Sequence, residues 1–161
     1  MSSEAMSRPA VVRKANPLQW LVAMASIPMA TLVALWVVAG RLLFGISGPM
    51  VAILGYSLGP ALFILLLIAG VKTTANALKG RPDGAPIKTC ALLLVAWLTA
   101  IGFGFTVPDF GEDGGSVMTA LAGESALGMS TALCNPLGII SVGLAITVAV
   151  TAWRDAKYAR H

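Results

Sequence analysis

Four uncharged apolar runs divide the sequence, and each is long enough to cross a lipid bilayer as a helix. They cover residues 18–40, 50–71, 89–107 and 136–153. A helix rises about 1.5 Å per residue, so a run of about 20 residues spans a hydrocarbon layer roughly 30 Å thick. No run carries the charged face that a soluble helix turns toward water. The runs therefore predict an all-α membrane protein, built as a bundle of four transmembrane helices.

The composition favours the same class. Hydrophobic residues make up 57% of the 161 residues and charged residues only 11%, whereas globular domains carry about 25% charged residues. The charges cluster between the apolar runs and in two tails, residues 1–17 and 154–161. The net charge of +4 is explained by basic residues at span ends. We therefore expect a lipid bilayer, and no nucleic acid, as a partner.

The basic residues also predict an orientation. Four crossings place both tails and the connection at 72–88 on one side, which holds ten of the eleven Lys and Arg residues. The positive-inside rule then places both termini in the cytoplasm and the connection at 108–135 outside. A signal peptide is the rival interpretation of the first run, but its 23 residues exceed the roughly 7–15 of a signal h-region. The Ala-, Gly- and Val-rich spans suggest a bacterial plasma membrane.

The first two spans contain residues that shape helix packing. Pro28 and Pro60 predict kinks, because a proline removes one helical hydrogen bond. Gly55 and Gly59 are four residues apart, so they share a helix face that another backbone is able to approach closely. Packing against another span of the same chain, packing between two copies, and chance all remain interpretations of this spacing.

The outer connection carries only acidic charges, at Asp109, Glu112, Asp113 and Glu124. Ser116 or Asp113 is a candidate cap for a short interfacial helix from Val117 to about Met129. Two alternatives remain open for residues 116–131: they re-enter the membrane, or they belong to the fourth span.

The fourth span is predicted to begin at Asn135 and Pro136. Asparagine suits the N-cap of a helix, and proline suits its first position. Cys134 then lies near the outer surface and Cys90 near the inner one. Most of the bilayer separates these two thiols, so no disulfide between them is expected.

No residue pattern indicates a cofactor, a metal site or catalysis. The predicted spans contain no Asp, Glu, Lys, Arg or His side chain, which argues against proton-coupled transport. Asp109, Glu112 and Asp113 lack the alternating ligands and distal glutamate of an EF-hand loop. Glu124 becomes a site candidate only if its segment re-enters the membrane, where its carboxylate would be partly desolvated.

The sequence therefore favours a small multi-pass membrane protein with a structural or accessory role rather than an enzyme. Other membrane proteins, or a second copy of the chain, are the expected partners. An oligomeric transporter or channel subunit for a neutral or apolar solute is the alternative, since proline-broken helices often border transport sites. A lipid-modifying enzyme is the third hypothesis, and it depends on the acidic outer connection.

Overall fold

The computed structural model describes residues 16–79, 85–110 and 114–158. These residues form six α-helices: α1 Pro17–Ala39, α2 Met50–Tyr56, α3 Leu58–Lys79, α4 Ile87–Thr106, α5 Val117–Ala122 and α6 Leu127–Tyr158. Two 3₁₀ turns, Gly40–Phe44 and Glu124–Ala126, follow α1 and precede α6. The described residues contain no strand, and α1, α3, α4 and α6 are long and apolar enough to cross a membrane. The predicted all-α fold with four spans is confirmed.

The four long helices form a ring. α1 packs against α3 and α4, and α6 packs against the same two helices, so α1 and α6 occupy opposite corners. The core contains many small and β-branched side chains, among them Ala23, Ala30, Ala69, Ala145 and Val148. A methyl group on Gly70 would lie 2.9 Å from the Ser26 carbonyl oxygen. Small residues thus bring the backbones of α1 and α3 together, as is common between membrane helices.

The start of α1 and the end of α6 lie at the same end of the bundle, which we call the tail end. The Gln19 amide donates to the Ala85 carbonyl over 3.0 Å, and the Thr89 hydroxyl donates to the Asp155 carboxylate over 2.5 Å. The Lys72 ammonium lies 4.4 Å from the centre of the Trp153 ring. The opposite end holds the connections that follow α1 and α4, and we call it the loop end.

The second span is broken near its loop end. It was predicted as one run over residues 50–71 with a bend at Pro60, whereas α2 ends at Tyr56 and α3 continues to Lys79. Ser57 between them has φ −120° and ψ −90°. The pyrrolidine ring of Pro60 disfavours a continuous helix over the preceding turn. The Ser57 hydroxyl donates to the Ile53 carbonyl, which satisfies one acceptor at the break.

The predicted start of the fourth span at Asn135 and Pro136 is wrong. α6 begins at Leu127 and continues through Pro136, so the last part of the segment 116–131 belongs to the span. The interfacial helix is correspondingly shorter than predicted: α5 ends at Ala122, and Gly123 follows with φ +82°. A proline inside a helix removes one backbone donor. The Ser130 hydroxyl bonds to the Thr106 carbonyl and the Ser116 hydroxyl, and these bonds hold the helical turns before Pro136 in place.

Candidate functional site

A buried ion pair joins the two connections at the loop end. Arg41, in the 3₁₀ turn after α1, places its Nη1 atom 3.4 Å from Oδ2 of Asp109, which follows α4. The two side chains are only 1% and 4% exposed. Charged side chains are almost never buried this completely unless they are paired. The pair is therefore the first candidate for a functional site among the described residues.

The Asp109 carboxylate also accepts backbone N–H groups at the start of α2. It accepts backbone N–H groups from Gly48 at 3.1 Å, Met50 at 3.2 Å and Phe110 at 2.8 Å. Gly48 carries no Cβ, and a Cβ there would overlap the carboxylate. The Asp109 backbone N–H donates to the Gly115 carbonyl over 3.0 Å. One side chain thus holds together the connection after α1 and the connection after α4.

Hydroxyl groups fasten the short helix α5 beside this pair. Ser116 caps α5 by accepting the Thr119 backbone N–H over 3.2 Å. The hydroxyl oxygens of Ser116 and Ser130 lie 2.6 Å apart, and the Ser130 hydroxyl donates to the Thr106 carbonyl. Both serines are buried. The ends of α4, α5 and α6 are thereby tied to one another.

The other acidic candidates do not join the Asp109 cluster in the described residues. Glu112 and Asp113 lie outside them. Glu124 is exposed and begins the second 3₁₀ turn. Because both oxygens of Asp109 already accept N–H donors, its carboxylate is poorly placed to ligate a cation or to act as a general base. No group of three or more His, Cys, Asp or Glu side chains with the geometry of a metal site occurs among the described residues.

The small-residue and proline candidates lie along two helices. Gly55 and Gly59 face Val38 of α1, where a Cβ on Gly59 would overlap the valine side chain. With Pro60, they line an apolar surface groove of about 350 Å³ between α1 and the second span. α1 runs without interruption through Pro28. The two cysteines, Cys90 and Cys134, are both free.

Arg41 is the functional candidate that the sequence analysis did not select. There it contributed only to the charge count of a short connection. A sequence signal does exist in retrospect: Arg41 and Asp109 are the first charged residues beyond the loop ends of the first and third spans. Opposite charges at the same depth on neighbouring helices are candidates for pairing. Sequence alone does not show that those helices are neighbours.

A second polar feature lies on the outer face of α6. Asn135 is exposed and lines a groove of about 430 Å³ with six other residues: Leu58, Phe103, Cys134, Gly138, Ile139 and Val142. Its side-chain oxygen lies 3.7 Å from the Cys134 sulfur. Its amino group donates no hydrogen bond to the described residues. A carboxamide therefore faces outward from an otherwise apolar surface.

Comparison of the chain with protein-family models, curated proteins and solved structures gave no match.

Proposed function

We propose that this multi-pass membrane protein is an accessory component that associates with other membrane proteins through the outer face of α6. The observation that carries the proposal is the exposed carboxamide of Asn135, whose amino group has no partner among the described residues. Two glycines on the same helix, Gly128 and Gly143, have open space where a Cβ would project. Such positions allow the backbone of another helix to approach.

The depth of Asn135 supports this role. α4 has 20 residues and is therefore about 30 Å long, which matches the thickness of a hydrocarbon core. Ser130 of α6 is level with the end of α4, because its hydroxyl donates to the Thr106 carbonyl. Asn135 lies five residues farther along α6, so with the membrane boundary taken at the end of α4 it is roughly 7 Å inside that boundary.

A carboxamide at that depth is unfavourable without hydrogen-bond partners, because lipid tails offer none. Polar side chains that bond across membrane helices contribute about 0.6–2 kcal/mol each. A partner helix packed on α6 would supply such a bond and would bury the neighbouring apolar surface. Packing against a partner helix is therefore more favourable for the Asn135 carboxamide than contact with lipid alone.

Transport of a neutral or apolar solute by an oligomer remains the second candidate, and the helix break at Ser57 is the observation that favours it. Leu58 shares the groove with Asn135, so the break lies near the loop end rather than at the midplane, where transporters bind their substrates. Interior hydroxyls such as those of Ser26 and Thr74 donate to the Ala23 carbonyl. Because these hydroxyls are bonded within the bundle, they are not free to line a transport path for a solute.

The orientation forms part of the proposal. The described cations other than Arg41 all lie at the tail end, namely Lys72, Lys79, Lys88, Arg154 and Lys157. Arg41 at the loop end is paired with Asp109, so it adds no net positive charge there. The positive-inside rule therefore favours a cytoplasmic tail end in the plasma membrane.

Photo-cross-linking in native membranes tests the association. A benzophenone amino acid at Ile139, which is 74% exposed on α6, should yield a discrete protein adduct. The matched control is Leu98 on α4, which is 68% exposed, and it should yield lipid adducts only. Asn135→Leu should reduce the Ile139 adduct several-fold, since an interhelical hydrogen bond of about 1 kcal/mol changes affinity roughly fivefold. Asn135→Gln keeps the amide and should retain most of the adduct.

Two outcomes separate the candidate functions. An adduct between Ile139 and a different membrane protein supports the accessory role, whereas an adduct with a second copy of the chain favours the oligomeric alternative. Equal protein adducts from Ile139 and Leu98, or no protein adduct from Ile139, would contradict a specific association face on α6.

A further inference from the structure

We infer that Arg41 binds a phosphate group at the loop end, through the Nε–H and Nη2–H donors on one edge of its guanidinium. This inference concerns a different part of the molecule from α6 and does not depend on the proposed lateral association. Either an inorganic phosphate ion or the phosphate of a lipid headgroup supplies the same tetrahedral oxyanion.

The hydrogen bonding of Arg41 is incomplete. Its Nε and Nη2 atoms are buried and have no partner among the described residues, and the side chain is only 1% exposed. These two N–H groups are parallel and match two oxygens of one oxyanion. Buried donors of a charged group are costly to leave unpaired, so this edge of the guanidinium calls for an acceptor.

The two charges of the Arg41–Asp109 pair are unequally compensated. Asp109 is compensated by three backbone N–H groups in addition to Arg41. Arg41 is compensated only by one contact of 3.4 Å, whereas charge-assisted N–H···O bonds are usually about 2.7–2.9 Å long. The arginine charge is thus less well neutralised than the aspartate charge. A second anion is attracted to Arg41 in spite of Asp109.

The location of Arg41 also suits a phosphate group. It directly follows the first apolar run of the sequence, and phospholipid phosphates would border the hydrocarbon core at the end of such a run. The 3₁₀ turn that carries it packs against α4 and α5. α5 has only six residues and ends at Gly123, and moving it aside would break the hydrogen bond between the Ser116 and Ser130 hydroxyls. Entry of a phosphate group therefore requires a local rearrangement rather than opening of the bundle.

Thermal unfolding of the full chain in maltoside micelles, which contain no phosphate, tests the inference. After delipidation, one arm receives inorganic phosphate at constant ionic strength, and the other receives phosphatidylglycerol. At roughly ten times Kd, binding should raise the unfolding midpoint by about 3–6 °C, and the rise should saturate. A rise in both arms identifies free phosphate as sufficient, and a rise with phosphatidylglycerol alone identifies the lipid headgroup. Either result supports the site.

Arg41→Lys is the discriminating variant, because it keeps a cation beside Asp109 but lacks the planar pair of donors. It should abolish the saturable rise. Asp109→Asn removes the competing carboxylate charge and should preserve or tighten binding. Line broadening of the phosphorus NMR signal of the added phosphate or phosphatidylglycerol, on addition of wild-type protein, provides a readout that needs no variant. Absence of saturable broadening and midpoint shift in both arms, or an equal shift in Arg41→Lys, would overturn the inference.

Discussion

Arg41→Gln should lower the free energy of unfolding by about 3–5 kcal/mol, because it leaves the buried Asp109 carboxylate without its counter-ion. Typical domains are stable by only about 5–15 kcal/mol, so this single change should remove a large part of the total. The loss should be visible as a lower unfolding midpoint in detergent micelles, followed by tryptophan fluorescence.

Two control variants test whether the loss of stability is specific to the buried pair. Arg154→Gln removes the same charge from an exposed position on α6 and should change stability by less than about 0.5 kcal/mol. The double variant Arg41→Gln with Asp109→Asn should be about 1–3 kcal/mol more stable than the sum of the single effects predicts. Strictly additive losses would mean that the two side chains do not stabilise the loop end as a pair.

Gly70→Ala should destabilise the bundle by about 1–3 kcal/mol, the usual cost of overpacking a tight interior. The added methyl would lie 2.9 Å from the Ser26 carbonyl oxygen and 3.2 Å from the Ile27 nitrogen. Both atoms belong to the backbone of α1, so neither is able to rotate away as a flexible side chain would. α1 and α3 would have to separate, which weakens the packing along their interface.

Gly143→Ala is the matched control for this variant. It makes the same chemical change within a membrane helix, but apart from the adjoining backbone of α6 no atom lies within 4 Å of the new methyl. Alanine is the better helix former, so this variant should be equally stable or up to about 1 kcal/mol more stable. The two variants are compared by the unfolding midpoint in micelles. Equal effects would show that Gly70 contributes through helix propensity rather than through close packing.

The span architecture was predictable because the lipid environment imposes one dominant constraint on the sequence. A helix in hydrocarbon satisfies its own backbone, and its length must match the membrane. The uncharged runs therefore revealed four spans from local sequence. The capping pattern of Asn135 and Pro136 is also local, yet it did not mark a helix start. Ser130 instead holds the upstream turns through bonds to Thr106 and Ser116, 24 and 14 residues away in the chain.

The Arg41–Asp109 pair was not predictable because, like the bonds of Ser130, it joins residues that are distant in the sequence. Its partners are 68 residues apart, and they meet only because α1 and α4 are neighbours in the ring. In the sequence, Arg41 is a single basic residue in a short connection, and Asp109 is one of several acidic residues. Charge counting treats both as markers of topology. Their burial depends on helix order, which the hydrophobic pattern does not specify.

We propose a four-span bundle with both tails in the cytoplasm and the Arg41–Asp109 pair on the opposite side of the membrane. Paired reporter fusions after His161 test it most directly, with alkaline phosphatase active only outside the cytoplasm and a fluorescent protein that matures only inside it. We predict a fluorescent, phosphatase-negative fusion after His161 and the reverse for a truncated fusion after Gly115. Phosphatase activity from the His161 fusion would contradict the proposed orientation.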